Sequence, residues 1–431
     1  MESKDIDQII ALIKREVIPA LGCTEPIAVA LAAAKARELL GEKPIGIHVY
    51  LSANVLKNAM GVGIPGTGMI GLPIAVALGV LIGNSSLNLE VLKFADKASV
   101  AEGKKMIEEG IITISLKPEI SEKLYIEVIC KAETSQSKAI ISGGHTTFTY
   151  LSKDEAVLLS SEHKTELSEE NATDPVLSMK KVYDFATIAP IDSLRFILET
   201  ARVNKAAAEI SFQGNYGHAL GKTLMMAQKK PLLGDSLLCK ILSYTSAACD
   251  ARMAGAMIQV MSNSGSGNQG ITATLPVVIY AEENNIAEEQ LIRALTLSHL
   301  TVIYIKQSLG RLSALCGCVV AAIGSSCGLT YLMGGTYQQI GYTVKNMVAN
   351  LAGMLCDGAK PSCALKLASG VSTAVLSAML AMECKYVTSV EGIVDEDIDQ
   401  SIRNLTRIGS EAMQETDKMV LDIMCNKKGC D

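Results

Sequence analysis

The chain has 431 residues, a net charge of −6 and a pI near 5.6, and only 4% of its residues are aromatic. It contains no basic run interleaved with aromatic residues, so the charge pattern excludes nucleic acid as a partner. The length exceeds what one hydrophobic core usually supports and therefore predicts two domains.

The first 150 residues predict an α+β domain. Apolar residues at helical spacing predict a helix from about residue 5. An interruption follows at PALGCTEP, residues 19–26, and then a second, alanine-rich helix that ends near residue 40. A strand over 45–53, a glycine loop over 61–68 and a buried helix over 68–82 come next.

Three further segments, rich in Ile, Val, Thr and Tyr, predict antiparallel strands at residues 111–117, 123–132 and 137–151. Residues 152–183 are polar and without sustained periodicity, which is typical of a connection between domains. From residue 189 onward the pattern is helical nearly throughout. The sequence therefore predicts an α+β domain with antiparallel strands over 1–183 and a mainly α domain over 184–431.

The N-terminal stretch, residues 1–23, mixes acidic and basic side chains and lacks the hydrophobic segment of a signal peptide, so a cytoplasmic location is expected. Two uncharged stretches, 59–83 and 312–344, are long enough to cross a membrane. Glycine-containing turns interrupt both of them, which predicts buried elements and no stable membrane insertion. A membrane protein is the alternative, and fractionation would test it.

Two glycine-rich loops are candidates for binding small anions. GVGIPG at residues 61–66 formally matches a dinucleotide motif, but LKNAM separates it from the preceding strand and Pro65 lies inside it, so a nucleotide site is disfavoured. A structural turn and a backbone nest for a carboxylate both stay open. SNSGSGNQG at 262–270 predicts either an anion site or an ordinary N-capping loop.

The five histidines are scattered and none pairs at helical spacing, so a histidine zinc site is disfavoured. His145 and His218 lie in glycine-flanked turns, where each is a candidate for substrate contact or for a structural role.

Twelve cysteines in a reducing compartment predict buried thiols together with a metal-binding or catalytic set, rather than disulfides. Five of them cluster among small residues, at Cys316, Cys318, Cys327, Cys356 and Cys363. Thiolates suit zinc or an iron–sulfur cluster. Purely structural thiols are the alternative, because free cysteine is among the most buried residue types.

Five motifs in order, ALGCTEP, VLKNAMGVGIPGTGM, SNSGSGNQG, SALCGC and GMLCDGAKPSCALK, resemble the L-cysteine desulfidase family, a relative of the bacterial iron–sulfur L-serine dehydratases. The resemblance spans nearly the whole chain. It implies a serine dehydratase alpha-like fold and a [4Fe-4S] cluster held by three cysteines with one iron left open. It also implies that neither pyridoxal phosphate nor a nucleotide is used.

Carried over residue by residue, the resemblance makes Cys316, Cys356 and Cys363 the cluster ligands and Cys23 the catalytic base. Cys318 could take the place of Cys316. The open iron would be a Lewis acid that grips a substrate carboxylate or polarises a leaving group. The expected substrate-binding residues are Thr24, Asn54, Lys57, Thr67, Asn263, Ser264, Asn268 and Lys360, with Lys360 also offsetting the charge of the cluster.

The implied reaction is β-elimination of L-cysteine to hydrogen sulfide, ammonia and pyruvate. L-Serine dehydration by the same chemistry and a non-catalytic iron–sulfur redox or sensor protein are the alternatives. A small amino acid is the expected partner, and a homodimer is left open. The related dehydratases also suggest that Cys425 or Cys430, close to the C-terminus, caps the open iron, whereas a frayed end is the alternative.

Overall fold

The structure is a computed structural model that describes residues 3–118, 120, 122–161, 174–227, 234–310 and 313–427. Its first half mixes helices and strands. These are α1 (Ser3–Glu16), β1 (Pro19–Leu21), α2 (Thr24–Leu40), β2 (Gly46–Leu51), α3 (Ala53–Ala59), α4 (Leu72–Ile82), α5 (Lys97–Glu108), β3 (Ile112–Leu116), β4 (Tyr125–Lys131), β5 (Gln136–Ser142), β6 (Phe148–Lys153) and β7 (Ala156–Ser160).

The second half is mostly helical, as the sequence predicts. Its elements are α6 (Met179–Ile188), α7 (Ile191–Leu194), α8 (Leu198–Gln213), α9 (Leu220–Ala227), α10 (Leu237–Met253), β8 (Gln259–Met261), α11 (Gly267–Glu283), α12 (Glu288–Leu309), α13 (Gly317–Leu332), α14 (Tyr337–Leu351), α15 (Cys363–Met382), α16 (Ile398–Arg407) and α17 (Gln414–Cys425).

Six strands form one sheet in the order β3-β2-β4-β5-β6-β7. The predicted antiparallel pairing is confirmed for β4, β5 and β6. It is wrong for β3, which pairs in parallel with β2. Helices α3, α4 and α5 connect these two strands, and a crossover of that length is what a parallel pair requires.

Part of the predicted linker, residues 152–183, has regular structure. The strand β7 pairs with β6 at the edge of the sheet although all five of its residues are exposed. Its run AVLLS lacks the alternation of apolar and polar residues by which a half-buried strand is recognised. Helix α6 begins before residue 183, and residues 162–173 lie outside the described residues.

The sheet and the alanine-rich helix α2 share one hydrophobic core with α4. Small side chains let the two helices approach closely, and a Cβ at Gly79 would lie 2.4 Å from the carbonyl oxygen of Ala30. The uncharged stretch 59–83 thus contributes an 11-residue core helix, which is too short to span a membrane.

The second uncharged stretch, 312–344, contributes α13 and the start of α14, whose inward faces are buried in the helical core. Across the described part of the chain, one helix has the length and composition of a membrane span, α15, and 39% of its apolar window is buried inside the protein. Core helices of soluble proteins meet the same criteria, so this helix is weak support for a membrane protein.

The helical half has its own core, and α1 belongs to it. Ile9, Ile13 and Val17 pack among residues of the helical half. Directly after α1, strand β1 pairs antiparallel with β8, with Pro19 opposite Met261 and Leu21 opposite Gln259. The segment before Cys23 is therefore anchored on the C-terminal half of the chain. The division into domains at residue 183 stays a prediction.

Candidate active site

Four helices begin at one pocket between the sheet half and the helical half. Cys23, Ser266 and Cys316 immediately precede α2, α11 and α13, and Cys363 is the first residue of α15. All four residues line a cavity of about 120 Å³, the volume of a few water molecules. Helix N-termini carry partial positive charge and unpaired N–H groups, so the pocket favours anions.

A short backbone pairing brings two of the predicted ligands together. Leu315 and Leu355 form an isolated antiparallel bridge, and the amide of Cys356 donates to the carbonyl oxygen of Ala314 at 2.7 Å. Cys316 and Cys356 follow these paired residues. Hydrogen bonding between their thiols and burial raise the pKa of Cys356. These thiols are therefore protonated unless a bound cation stabilises their anions.

The third predicted ligand, Cys363, lies across the turn from Cys356 and lines the same cavity. Cys318 lines it too, with its sulfur 3.3 Å from that of Cys316. Hydrogen bonding to Cys318 and burial raise the pKa of Cys316. The choice between Cys316 and Cys318 as ligand stays open.

These soft donors on two separate segments fit an iron–sulfur cluster, in which each thiolate binds a different iron. Throughout the described ranges, no group of three or more His, Cys, Asp or Glu side chains is arranged around a single metal ion.

Cys23 is 4% exposed and lines the cavity together with the predicted ligand cysteines. Burial raises the pKa of its thiol to about 12, the Arg252 guanidinium lowers it, and the Glu25 carboxylate raises it further. The thiolate that a base requires is therefore costly in this site unless positive charge is supplied to it.

No sequence pattern marks Arg252, which lies in the last turn of α10 and is 3% exposed. Its guanidinium donates to the Gly22 carbonyl at 3.0 Å, to the Cys23 sulfur at 3.5 Å and to Asn268 Oδ1 at 3.0 Å. A Cβ at Gly267 would lie 2.3 Å from Arg252 Nε, so a glycine at this position leaves room for the guanidinium.

Three of the predicted substrate-binding residues line the cavity, Thr24, Ser264 and Asn268. His145, a weaker candidate, also lines it, whereas His218 does not. Glu25, Asn58 and Lys366 are lining residues that the sequence did not indicate.

Two predicted residues instead stabilise turns. Lys360 Nζ binds Asp357, at 2.7 Å from the carboxylate and 2.6 Å from the carbonyl, which holds the turn between the two cysteines. Thr67 donates to the Ile64 carbonyl at 2.8 Å within the glycine loop. Neither residue lines the cavity.

Asn263 is fully buried beneath the pocket. Its amide nitrogen lies 3.0 Å from His299 Nδ1 and donates to the His299 carbonyl at 3.1 Å. Burial lowers the pKa of His299 to about 3, so the imidazole is neutral and serves as a structural hydrogen-bonding group. The Asn263 side chain thus supports the loop from behind.

The sequence matches the family model described as the serine dehydratase alpha chain over residues 88–422. The chain belongs to the serine dehydratase alpha chain family. A UPF0597 protein of Bacteroides fragilis is 70% identical over 430 residues, covering 100% of both chains. A UPF0597 protein of Bacteroides thetaiotaomicron is 69% identical over 98% of both chains. One of Oleidesulfovibrio alaskensis is 46% identical over 97% of this chain and 98% of its own.

The predicted relation to serine dehydratases is confirmed by this match. Membership in the serine dehydratase alpha chain family suggests a lyase, and the cysteine-rich pocket is consistent with iron–sulfur binding. The matched region contains Cys316, Cys356 and Cys363 but begins after Cys23.

In this member of the serine dehydratase alpha chain family, the C-terminal helix α17 docks behind the pocket. Asp417 accepts hydrogen bonds from Lys57 and from Asn54, the latter at 2.7 Å, and Lys57 also donates to the Cys356 carbonyl at 3.4 Å. Cys425, at the end of α17, is exposed and does not line the cavity, and Cys430 lies outside the described residues. A cap on the open iron by either cysteine stays a prediction.

Lys57→Met is expected to lower the free energy of unfolding by about 3 kcal/mol, because it removes the cation that pairs with the partly buried Asp417. Urea unfolding followed by circular dichroism measures the change. Lys418→Met is the matched control, since Lys418 pairs with Glu415 on the exposed side of α17 and should matter little. Equal stability of the two variants would contradict a structural role for the Lys57 ion pair.

Proposed function

We propose that the protein is an L-cysteine desulfidase that converts L-cysteine to hydrogen sulfide, ammonia and pyruvate with a [4Fe-4S] cluster. The observation that carries the proposal is the single cavity lined by Cys23 and by the three predicted ligands, Cys316, Cys356 and Cys363. Those three thiolates would hold the cluster. When bound, the cluster supplies a Lewis-acidic iron for the substrate.

Cys23 is the proposed base, as a thiolate that removes the proton from Cα of L-cysteine. The electron pair of the Cα–H bond forms the Cα=Cβ double bond, the Cβ–S bond breaks, and sulfide leaves with the bonding electrons. The released aminoacrylate tautomerises to an imine, which water hydrolyses to pyruvate and ammonia. Cys23 is buried, which limits the access of bulk water to the proton transfer.

L-Serine dehydration is the second candidate, because the matched family carries the serine dehydratase name. The proton transfer to Cys23 would be the same, and hydroxide would leave in place of sulfide. Sulfide is the better leaving group, which favours L-cysteine as the substrate.

Anaerobic purification with iron and sulfide analysis, followed by a pyruvate assay on both amino acids, tests the proposal. A protein with bound iron and sulfide that turns over L-cysteine with the higher kcat/KM is expected. A higher kcat/KM for L-serine would instead establish a dehydratase. Bound iron without turnover of either amino acid would establish a redox or sensor protein.

A further inference from the structure

A buried carboxylate in the cavity has no cationic partner. Glu25 is 9% exposed, and its two oxygens accept hydrogen bonds from Asn58 Nδ2 at 3.1 Å and from Thr24 Oγ1 at 3.2 Å. Both donors are neutral. No Lys, Arg or His of the described ranges forms an ion pair with Glu25.

A buried guanidinium in the same cavity has no carboxylate partner. Arg252 donates to the backbone of Gly22, to the thiol of Cys23 and to the amide oxygen of Asn268, all of which are neutral in this structure. Its Nε is buried without a hydrogen-bond acceptor. Among the residues that the structure describes, no Asp or Glu pairs with it.

Two unpaired charges of opposite sign in one buried cavity would be stabilised by a ligand that carries both complementary charges. Desolvation of a charge is expensive unless a counter-charge is present. Glu25 lies in the first turn of α2 and Arg252 in the last turn of α10, so both helix dipoles help, but that effect is smaller than the desolvation cost. Ionisation of Cys23 would pair with Arg252 alone and would leave Glu25 without a cation.

We propose that Glu25 and Arg252 recognise the two charged groups of a zwitterionic α-amino acid, with the ammonium at Glu25 and the carboxylate at Arg252. The inference builds on the proposed function in taking an amino acid as the substrate. Both side chains keep hydrogen-bonding capacity for this role, since a guanidinium has five donors and a carboxylate about four acceptor positions.

The arrangement also assigns positions to the rest of the substrate. Because the guanidinium of Arg252 contacts the Cys23 sulfur, a carboxylate bound there brings the adjacent Cα–H next to Cys23. Arg252 would then take the carboxylate, and the Lewis-acidic iron of a bound cluster would be left for the leaving group on Cβ.

The test uses three unreactive ligands and titration calorimetry on the anaerobic holoprotein. L-Alanine has both charged groups, propionate lacks the ammonium, and ethylamine lacks the carboxylate. Glu25→Gln is expected to weaken the binding of L-alanine at least about tenfold and to leave the affinity for propionate unchanged. Arg252→Gln is expected to weaken the binding of L-alanine by a similar factor and to leave the affinity for ethylamine unchanged.

Three further variants guard against a structural explanation. Glu25→Asp and Arg252→Lys keep the charges and should retain part of the L-alanine affinity even if the neutral variants fold poorly. Glu38→Gln, on the far end of α2 beside Ser85, should bind all three ligands like the wild type. Iron content and thermal unfolding are measured for each variant.

Three results would overturn the inference: wild-type protein that does not bind L-alanine, variants that bind it as the wild type does, or variants that lose all three ligands equally. These results are separate from those of the pyruvate assay. A protein that binds L-alanine through Glu25 and Arg252 but makes no pyruvate would disprove the proposed function and retain the inference.

Discussion

Cys356→Ser is expected to lose bound iron, bound sulfide and activity together. Cys356 directly follows Leu355, which pairs with Leu315 beside Cys316, and the proposed cluster has three protein ligands. Loss of one thiolate leaves a cluster held at two corners, and serine is a much poorer ligand for iron in such sites. Iron and sulfide analysis, the visible absorbance and the pyruvate assay are measured on the same anaerobic preparation.

Cys327→Ser is the matched control, because Cys327 is fully buried in α13 but does not line the cavity. It should keep its iron. The same measurements on Cys316→Ser and Cys318→Ser decide between the two adjacent thiols, since only one of them should be required. Full iron content in Cys356→Ser would remove that residue from the ligand set.

Cys23→Ala is expected to keep wild-type iron and sulfide while turnover of L-cysteine falls by at least about a hundredfold, the lower range for loss of a general base. The base works only as a thiolate, and burial raises its pKa, so the wild-type rate should rise with pH. That rise should disappear in the variant. Steady-state kinetics over a pH series measure both effects.

Cys130→Ala provides the comparison for Cys23→Ala, because Cys130 is a buried thiol of the sheet core, remote from the cavity. It should keep both iron and turnover. Iron loss in Cys23→Ala would make Cys23 a ligand rather than a base, and unchanged turnover would remove it from the mechanism.

Much of the fold followed from local patterns. The helix α2, the strand β2, the buried helix α4 and the helical second half were all recognisable from periodicity. The pairing of strands could not be recognised from periodicity, because the parallel partner of β3 is β2, from which it is separated by three helices. The strand β7 was missed since all its side chains are exposed and its sequence lacks alternation.

Some residues of the candidate site could likewise be predicted from the sequence, and others could not. The resemblance to the L-cysteine desulfidase family implied Cys316, Cys356 and Cys363 as one group, and the structure brings them to one cavity. Arg252 and Glu25 could not be recognised, because single charged residues on helices are ordinary. Only the structure shows that both are buried and that neither has an ionic partner among the described residues. Conversely, Asn263 looked like an anion-binding residue of a polar loop, but its side chain is turned toward His299.

The pairing of β1 with β8 has a consequence for how the chain is made. Pro19–Leu21 is synthesised roughly 240 residues (259 minus 21) before Gln259–Met261. At about 5–20 residues per second, this interval lasts about 12–48 s. During that time α12, against which α1 packs, and the cysteines at 316, 318, 356 and 363 have not yet been synthesised. The pocket is therefore assembled late in synthesis, and nascent chains that stall before residue 259 should depend on chaperones to shield α1.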